Sequence, residues 1–226
     1  MLFDAHSHVQ EIGKFEKDKV IPAVIGYSHE ANRLAVEFAK KYNLPYGLGI
    51  APQIAQKNYD IKWEEFIYNS NPNVIGEIGL DYYWGNNKEK IDKQKYVFRR
   101  MLEISEEMRK NIVIHCRDAY EDLINIVKDY SNSVMFHFFN GDIEKVINNM
   151  ETDFYIYIIG LRSKKRKKAI KKIELENILI ETDSPYVFKK PCDVIKSAEY
   201  VAQIKNIDVK IVVEETYKNA RKFFGW

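Results

Sequence analysis

Six side chains of this 226-residue sequence are of types that hold divalent cations: His6, His8, Glu77, His115, His137 and Asp183. Neutral imidazoles and carboxylates suit Zn²⁺, Mn²⁺ or Co²⁺ and can also hold Mg²⁺. Side chains repeat every two residues along a strand, so the His6-x-His8 spacing sends both imidazoles to one side. Glu77 stands inside the apolar run Val74-Ile75-Gly76-Glu77-Ile78-Gly79-Leu80. A carboxylate there is costly to bury unless it is paired or coordinated. An Arg or Lys partner would satisfy it; Gly76 and Gly79 favour coordination, because they leave room for an ion and its waters near the backbone. Asp183, in Glu181-Thr182-Asp183-Ser184-Pro185, either ligates a metal or caps the next helix or turn. His115 and His137, taken singly, read more readily as satisfied core histidines than as ligands.

Neighbouring residues carry weaker signals. Arg117 could clamp a phosphate bidentately or pair with Asp118 or Glu121. Cys116 lacks a general base at a convincing spacing and reads as a small packed hydrophobe. His29 reads as a surface or capping residue near a helix start.

These residues need a frame, and the periodicity supplies one. Short apolar runs at Leu2–His6, Val20–Tyr27, Tyr46–Ala51, Val74–Leu80, Asn111–Cys116, Ser133–Phe138, Asp153–Ile159 and Asn177–Thr182 predict buried parallel strands. Amphipathic runs at Glu30–Tyr42, Lys62–Ser70, Lys88–Lys110, Ala119–Tyr130, Ile143–Asn149, Ser163–Ile173, Asp193–Lys205 and Asp208–Phe224 predict helices. Between His8 and Val20 there is room only for a stunted helix. Eight strands interleaved with helices point to a lean α/β fold, a (β/α)₈ TIM barrel. An open doubly wound sheet is the alternative, but no glycine-rich phosphate loop follows an early strand. No linker, repeat or composition break divides the chain, so one domain over 1–226 is predicted. In the barrel reading all six candidate ligands fall at or near carboxyl ends of strands, the face on which barrel active sites are built.

Composition narrows the class further. An apolar share of 46% excludes intrinsic disorder. Two cysteines, Cys116 and Cys192, make no disulfide framework and suit a reducing compartment. The amino-terminal residues carry no basic leader or cleavage site, and no stretch approaches the ~20 apolar residues that span a bilayer. A soluble, cytoplasmic protein, mature from its first residue and without membrane contact, is expected. The net charge of +2 conceals an asymmetry: Arg162–Lys172 reads RSKKRKKAIKK, and without its eight basic residues 27 bases face 33 acids. That segment is either a solvated helix face or a nucleic-acid contact.

Taken in order, Asp4-Ala5-His6-Ser7-His8, Gly76-Glu77-Ile78-Gly79-Leu80-Asp81-Tyr82, Ile114-His115-Cys116-Arg117-Asp118-Ala119, Phe136-His137-Phe138-Phe139-Asn140-Gly141 and Glu181-Thr182-Asp183-Ser184-Pro185-Tyr186 resemble the successive signatures of the TatD family. Gln94 and Thr216-x-x-Asn219-x-x-x-Phe223 match as well, and the likeness runs through the whole chain. It implies a metal-dependent hydrolase of the amidohydrolase-like group, best known for deoxyribonucleases. It also implies two divalent ions, one held by His6, His8, Glu77 and Asp183, the other by Glu77, His115 and His137. The sequence departs from the family where Gly49-Ile50-Ala51-Pro52-Gln53 replaces Gly-x-His-Pro-His, and where Val187-Phe188-Lys189-Lys190-Pro191 replaces an Arg-Gly…Asn-Glu-Pro segment. The first βα unit is also short. The metal core is intact and the substrate shell altered.

The expected chemistry is phosphodiester hydrolysis by water activated between two ions. Asp183 and Glu77 are the expected catalytic carboxylates, with Asp183 taking the proton. The expected substrate contacts are Arg117, Tyr82, Glu181, Arg162 and Lys164, with Tyr83 and Trp84 offering base stacking or simply packing under a loop. Glu181 is also a second candidate for the proton-accepting role. The expected partner is a nucleic-acid substrate, DNA before RNA. Two alternatives stand beside this one: a metal-dependent amide or ester hydrolase acting on a small molecule, and a non-catalytic nucleic-acid-binding protein.

Overall fold

The computed structural model describes residues 1–13, 20–57 and 59–226. Eight strands, β1 (Leu2–Ser7), β2 (Val20–Ile25), β3 (Tyr46–Leu48), β4 (Val74–Asp81), β5 (Ile112–Arg117), β6 (Val134–Phe136), β7 (Phe154–Ile159) and β8 (Ile178–Glu181), lie side by side in chain order. Every adjacent pair is parallel. Closure of β8 onto β1 rests on a bridge between Ser7 and Ser184 and on two backbone bonds. The Asp183 amide donates to His6 O at 3.0 Å, and the His8 amide to Ser184 O at 2.7 Å. The buried Asp4 carboxylate ties the same seam, accepting from the Thr182 amide at 2.8 Å and from its hydroxyl at 2.5 Å. The eight strands thus form a nearly closed (β/α)₈ barrel.

Helices α1 (His29–Tyr42), α2 (Pro52–Ala55), α3 (Lys62–Ser70), α4 (Lys88–Glu107), α5 (Tyr120–Val127), α6 (Ile143–Asn149), α7 (Lys164–Lys172), α8 (Ile195–Lys205) and α9 (Val209–Phe224) follow. The pattern of α4 shows why such segments wrap a barrel. Asn87 caps its first turn by accepting from the Lys90 amide, and Val97, Phe98, Met101, Leu102, Ile104 and Ser105 are buried on one stripe. At the amino ends of the strands, α9 is fixed by side-chain amides. Asn219 donates to Leu175 O and Ile178 O, both at 2.9 Å, while Asn73 and Asn111 donate to Phe224 O and Phe223 O at 3.0 and 2.7 Å. The Asn219 motif is therefore a floor anchor, remote from the chemistry.

Several boundaries differ from the sequence expectation. β3 stops at Leu48, because Pro52 opens the short α2. β6 stops at Phe136, and Phe138 turns the chain in a left-handed conformation (φ 49°). A 3₁₀ turn, Val9–Glu11, occupies the start of the short first unit; the rest of the predicted stunted helix, at 14–19, lies outside the described residues. The glycines of β4 also have another role than the one expected. A Cβ on Gly79 (φ 138°) would fall 2.1 Å from His115 O, and one on Gly76 would fall 2.6 Å from Val113 Cβ. They are small to let β4 and β5 approach, not to make room for an ion.

Candidate metal centre

All six candidate ligands meet in the barrel. His6 lies in β1 and His8 just beyond it; Glu77 lies in β4 and His115 in β5; His137 follows β6 by one residue and Asp183 follows β8 by two. Asp183 takes the left-handed conformation (φ 51°), which Asp tolerates better than most residues. Its carboxylate reaches His8, with Oδ1 3.4 Å from Nε2.

The side chains form overlapping clusters in which potential ligand atoms lie within 4.8 Å of one another: His6, His8 and Asp183; Glu77, His115 and His137; and His6, His137 and Glu181. Glu77 touches the first two groups with different oxygens. Its Oε2 is 3.8 Å from His6 Nε2 and 3.9 Å from His8 Nε2, while Oε1 is 2.8 Å from His115 Nδ1. This answers the sequence alternative of an Arg or Lys partner: among the described residues, the groups facing the Glu77 carboxylate are imidazoles.

Three of the four rings are aimed by an outer contact, as is usual for metal-binding histidines. His8 Nδ1 donates to Ile25 O at 2.8 Å, leaving Nε2 for the centre. His115 Nε2 donates to Asp81 Oδ2 at 2.9 Å, and His137 Nδ1 to Glu181 Oε2 at 2.6 Å. His6 is different. It is fully buried, its ring stacks on His137 at 3.7 Å between centroids, and neither of its nitrogens has a hydrogen-bond partner. Such an orphaned polar group is costly in a folded protein, and a cation on Nε2 would satisfy it. The donor set therefore fits a metal.

Electrostatics agree with the geometry. Burial would lower His137, but the Glu181 charge and hydrogen bond outweigh it and raise the pKa to about 10. Burial likewise opposes His115, yet its bonds to Asp81 and Glu77 raise it to about 9. Glu77 is held down at about 2 despite burial, by the His115 hydrogen bond and the nearby His137 and His8. Burial and three neighbouring imidazoles drive His6 well below its ordinary value. Protons on His115 and His137 and the charge on Glu77 thus balance one another at positions a cation would take.

A cavity of about 380 Å³ opens above, lined by His8, Tyr27, Gln53, Glu77, Trp84, His115, His137, Asp183 and Tyr186. Of the expected substrate contacts, Trp84 reaches it. Tyr82 turns away and donates to Asp122 Oδ2 at 2.6 Å. Glu181 is fully buried behind His137 and accepts the Phe138 amide at 2.8 Å, so it orients an imidazole instead of touching substrate or water. Arg162 and Lys164 line a separate groove between α7 and α8. Arg117 is exposed and stacks over Tyr83 and Trp84, its guanidinium 3.6 and 5.4 Å from the ring centroids. His29 stacks on Trp63 with centroids 4.0 Å apart, away from the metal cage.

Several residues make contacts that their motifs did not announce. Asp81 lies four residues after Glu77, on the same face of β4, and its other oxygen accepts the Tyr83 and Trp84 amides, both at 3.0 Å. Its period-two relation to Glu77 was the available signal. Gln94 fixes the Asp81 backbone, accepting from its amide at 2.8 Å and donating to its carbonyl at 3.0 Å. Tyr186 donates to Glu11 Oε2 at 2.5 Å, and Tyr27 in turn donates to the Tyr186 hydroxyl at 3.0 Å. Two rings from opposite sides of the seam thereby roof His8, and no local pattern announces that pairing.

Barrel and clusters together define a metal-dependent hydrolase. A family model described as TatD related DNase matches residues 3–225. The chain belongs to that family. It is 32% identical over 245 residues to an uncharacterized metal-dependent hydrolase of Methanocaldococcus jannaschii, covering 98% of this chain and 96% of that one. Identity to the uncharacterized metal-dependent hydrolase YabD of Bacillus subtilis is 31% over 255 residues, covering 99% of each. In fold it is similar to the crystal structure of the TatD homologue YjjV from Escherichia coli, with a TM-score of 0.82 and 18% identity over 100% of this chain and 98% of the other. No helix among the described residues is long and apolar enough to cross a membrane.

Proposed function

We propose that this protein hydrolyses phosphodiester bonds of DNA with two divalent cations, Zn²⁺, Mn²⁺, Mg²⁺ or Co²⁺. The observation that carries the reading is Glu77, whose two oxygens face two imidazole clusters across one cage. In this reading His6, His8, Glu77 and Asp183 hold one ion, and Glu77, His115 and His137 hold the other. Bound divalent ions supply Lewis acidity and acidify water.

The chain's own groups do the rest. Asp183, at the mouth and partly exposed, accepts the proton of the attacking water. Water oxygen bonds to phosphorus, the sugar oxygen leaves with a proton, and the products are an alcohol and a phosphate monoester. Asp81 and Glu181 hold His115 and His137 in register throughout. Trp84 presents a face to a base in the cavity, and Arg117 beside it meets a phosphate of the same strand. The family's description as DNases supports the substrate. The unbridged Cys116 and Cys192 suit a cytoplasmic setting.

The roof of Tyr27 and Tyr186 over a cavity of about 380 Å³ favours a second reading, hydrolysis of a small amide or ester. One experiment separates the two. Purified protein is incubated with single- or double-stranded DNA, or with small esters and amides, in Mg²⁺ or Mn²⁺ with and without chelator. Metal-dependent DNA cleavage that disappears in Asp183→Asn supports the nuclease. Turnover of small substrates alone supports the second reading, and DNA binding without any turnover overturns both.

A further inference from the structure

Seven of the eight basic residues in the segment 162–172 fall into two groups, with Lys165 in neither. Arg166 is buried: its Nε donates to Phe139 O at 3.1 Å and its Nη1 to Leu161 O at 2.5 Å, so it braces the loops after β6 and β7. Lys168 and Lys172 pair with Glu144 of α6 at 2.9 and 3.1 Å. These three cations serve the fold. Lys164, Lys167 and Lys171 are exposed and have no acidic partner among the described residues. They fall at i, i+3 and i+7, which is one face of a helix.

That face is the wall of a groove of about 640 Å³. Arg162 and Ser163 close its upper end, and Tyr200, Gln203 and Ile204 of α8 form the opposite wall. No carboxylate lines it. Arg162 donates to Gln203 Oε1 at 3.3 Å, which leaves the Gln203 amide group free to donate. The upper end lies where β7 passes into α7, on the face of the barrel that carries the metal cage. Ser163 Oγ contacts Asn140 Oδ1 at 2.9 Å, and Asn140 lies three residues beyond His137.

We infer that the α7–α8 groove binds the phosphate backbone of a nucleic-acid strand and leads it toward the metal mouth. The lysine row climbs about 10 Å at the helical rise, and a strand of duplex carries one charge per about 3.4 Å of axis, so the row spans about three phosphate intervals and each of its three lysines can meet a different phosphate. The groove offers cations and a side-chain amide but no exposed aromatic platform, because Tyr200 is only 8% exposed. Contacts of this kind read backbone charge, not base identity. The identity of the strand, but not the anion site itself, rests on the nuclease reading.

The test measures binding of a fluorescent single-stranded oligothymidylate to chelator-treated full-length protein across a salt series. Each single-strand phosphate contact adds about 0.7 to the salt slope of log K. Lys167→Gln/Lys171→Gln should therefore lower the slope by about 1.4 and weaken binding several-fold at low salt. Lys40→Gln/Lys210→Gln, with the same net charge but lying outside the groove, should keep the wild-type slope. Equal losses in both variants overturn the groove, as does an unchanged slope in the first. Loss of polyglutamate binding alone, with oligothymidylate held as in wild type, also overturns it in favour of an acidic protein partner. Because binding is read without cleavage, the two proposals fail separately. A protein that binds here and cuts nothing keeps the groove; one that cuts DNA while the groove variant binds normally keeps only the nuclease.

Discussion

Glu181 Oε2 lies 2.6 Å from His137 Nδ1, and the carboxylate has no contact with the open cavity. An acid two residues before Asp183 thus acts one step back from the metal cage, by setting which nitrogen of a neighbouring imidazole faces it. Glu181→Gln keeps the shape and removes the charge. Metal affinity, read by competition with a chromogenic chelator, should fall about 10–100-fold. Affinity equal to wild type would show that His137 needs no such partner.

Proton release gives a second test. His115 and His137 carry protons in the metal-free protein, with pKa values raised to about 9 and about 10. A cation must displace them, so binding releases protons near neutrality and tightens as pH rises toward those values. Each proton released corresponds to about a tenfold change in apparent affinity per pH unit. Without metal the sign reverses: the stability these raised values confer is fully present below the ordinary imidazole pKa and is lost as pH climbs through about 9 to 10. Metal titrations at three pH values, with thermal melts of chelated protein alongside, check both directions. An affinity independent of pH would contradict the protonated cage.

Trp84→Ala should weaken strand binding without disturbing the metal. Loss of one stacked base costs about 1–3 kcal/mol, which predicts a rise in KM for DNA of about fivefold or more with kcat nearly constant. A fall in kcat alone would place Trp84 under the loop as packing.

Gly79→Ala forces a Cβ to within 2.1 Å of His115 O in a backbone conformation that L residues rarely adopt. Strand β5 must move away, carrying His115 with it. Denaturant unfolding should show a loss of about 2 kcal/mol or more, and metal affinity should drop with it. Retention of both would mean the strands have slack at this point.

The barrel was legible because its strands are buried on both faces and read as nearly continuous apolar runs, β7 as FYIYII and β2 as VIPAVI. The cage was legible for a related reason: a charged or imidazole side chain inside such runs needs a partner, and Glu77 within β4 has few that are not ligands. What lay beyond reach depends on pairs far apart in the chain. Tyr186 finds Glu11 across the seam, 175 residues away, and Glu181 finds His137 at a separation of 44. The fate of individual lysines was hidden likewise. Arg166 faces inward and Lys168 meets Glu144, and only the facing loops and α6 determine that division.

The asparagines that secure α9 clasp it to the amino ends of the strands, Asn73 and Asn111 through α9 carbonyls and Asn219 through Leu175 O and Ile178 O, at the opposite pole from the metal cage. Foundation and aperture are thereby decoupled. Exchanging lip segments such as 51–53 or 187–191 for those of relatives would remodel what enters while the base stays locked, which makes this chain a practical chassis for grafting new specificities.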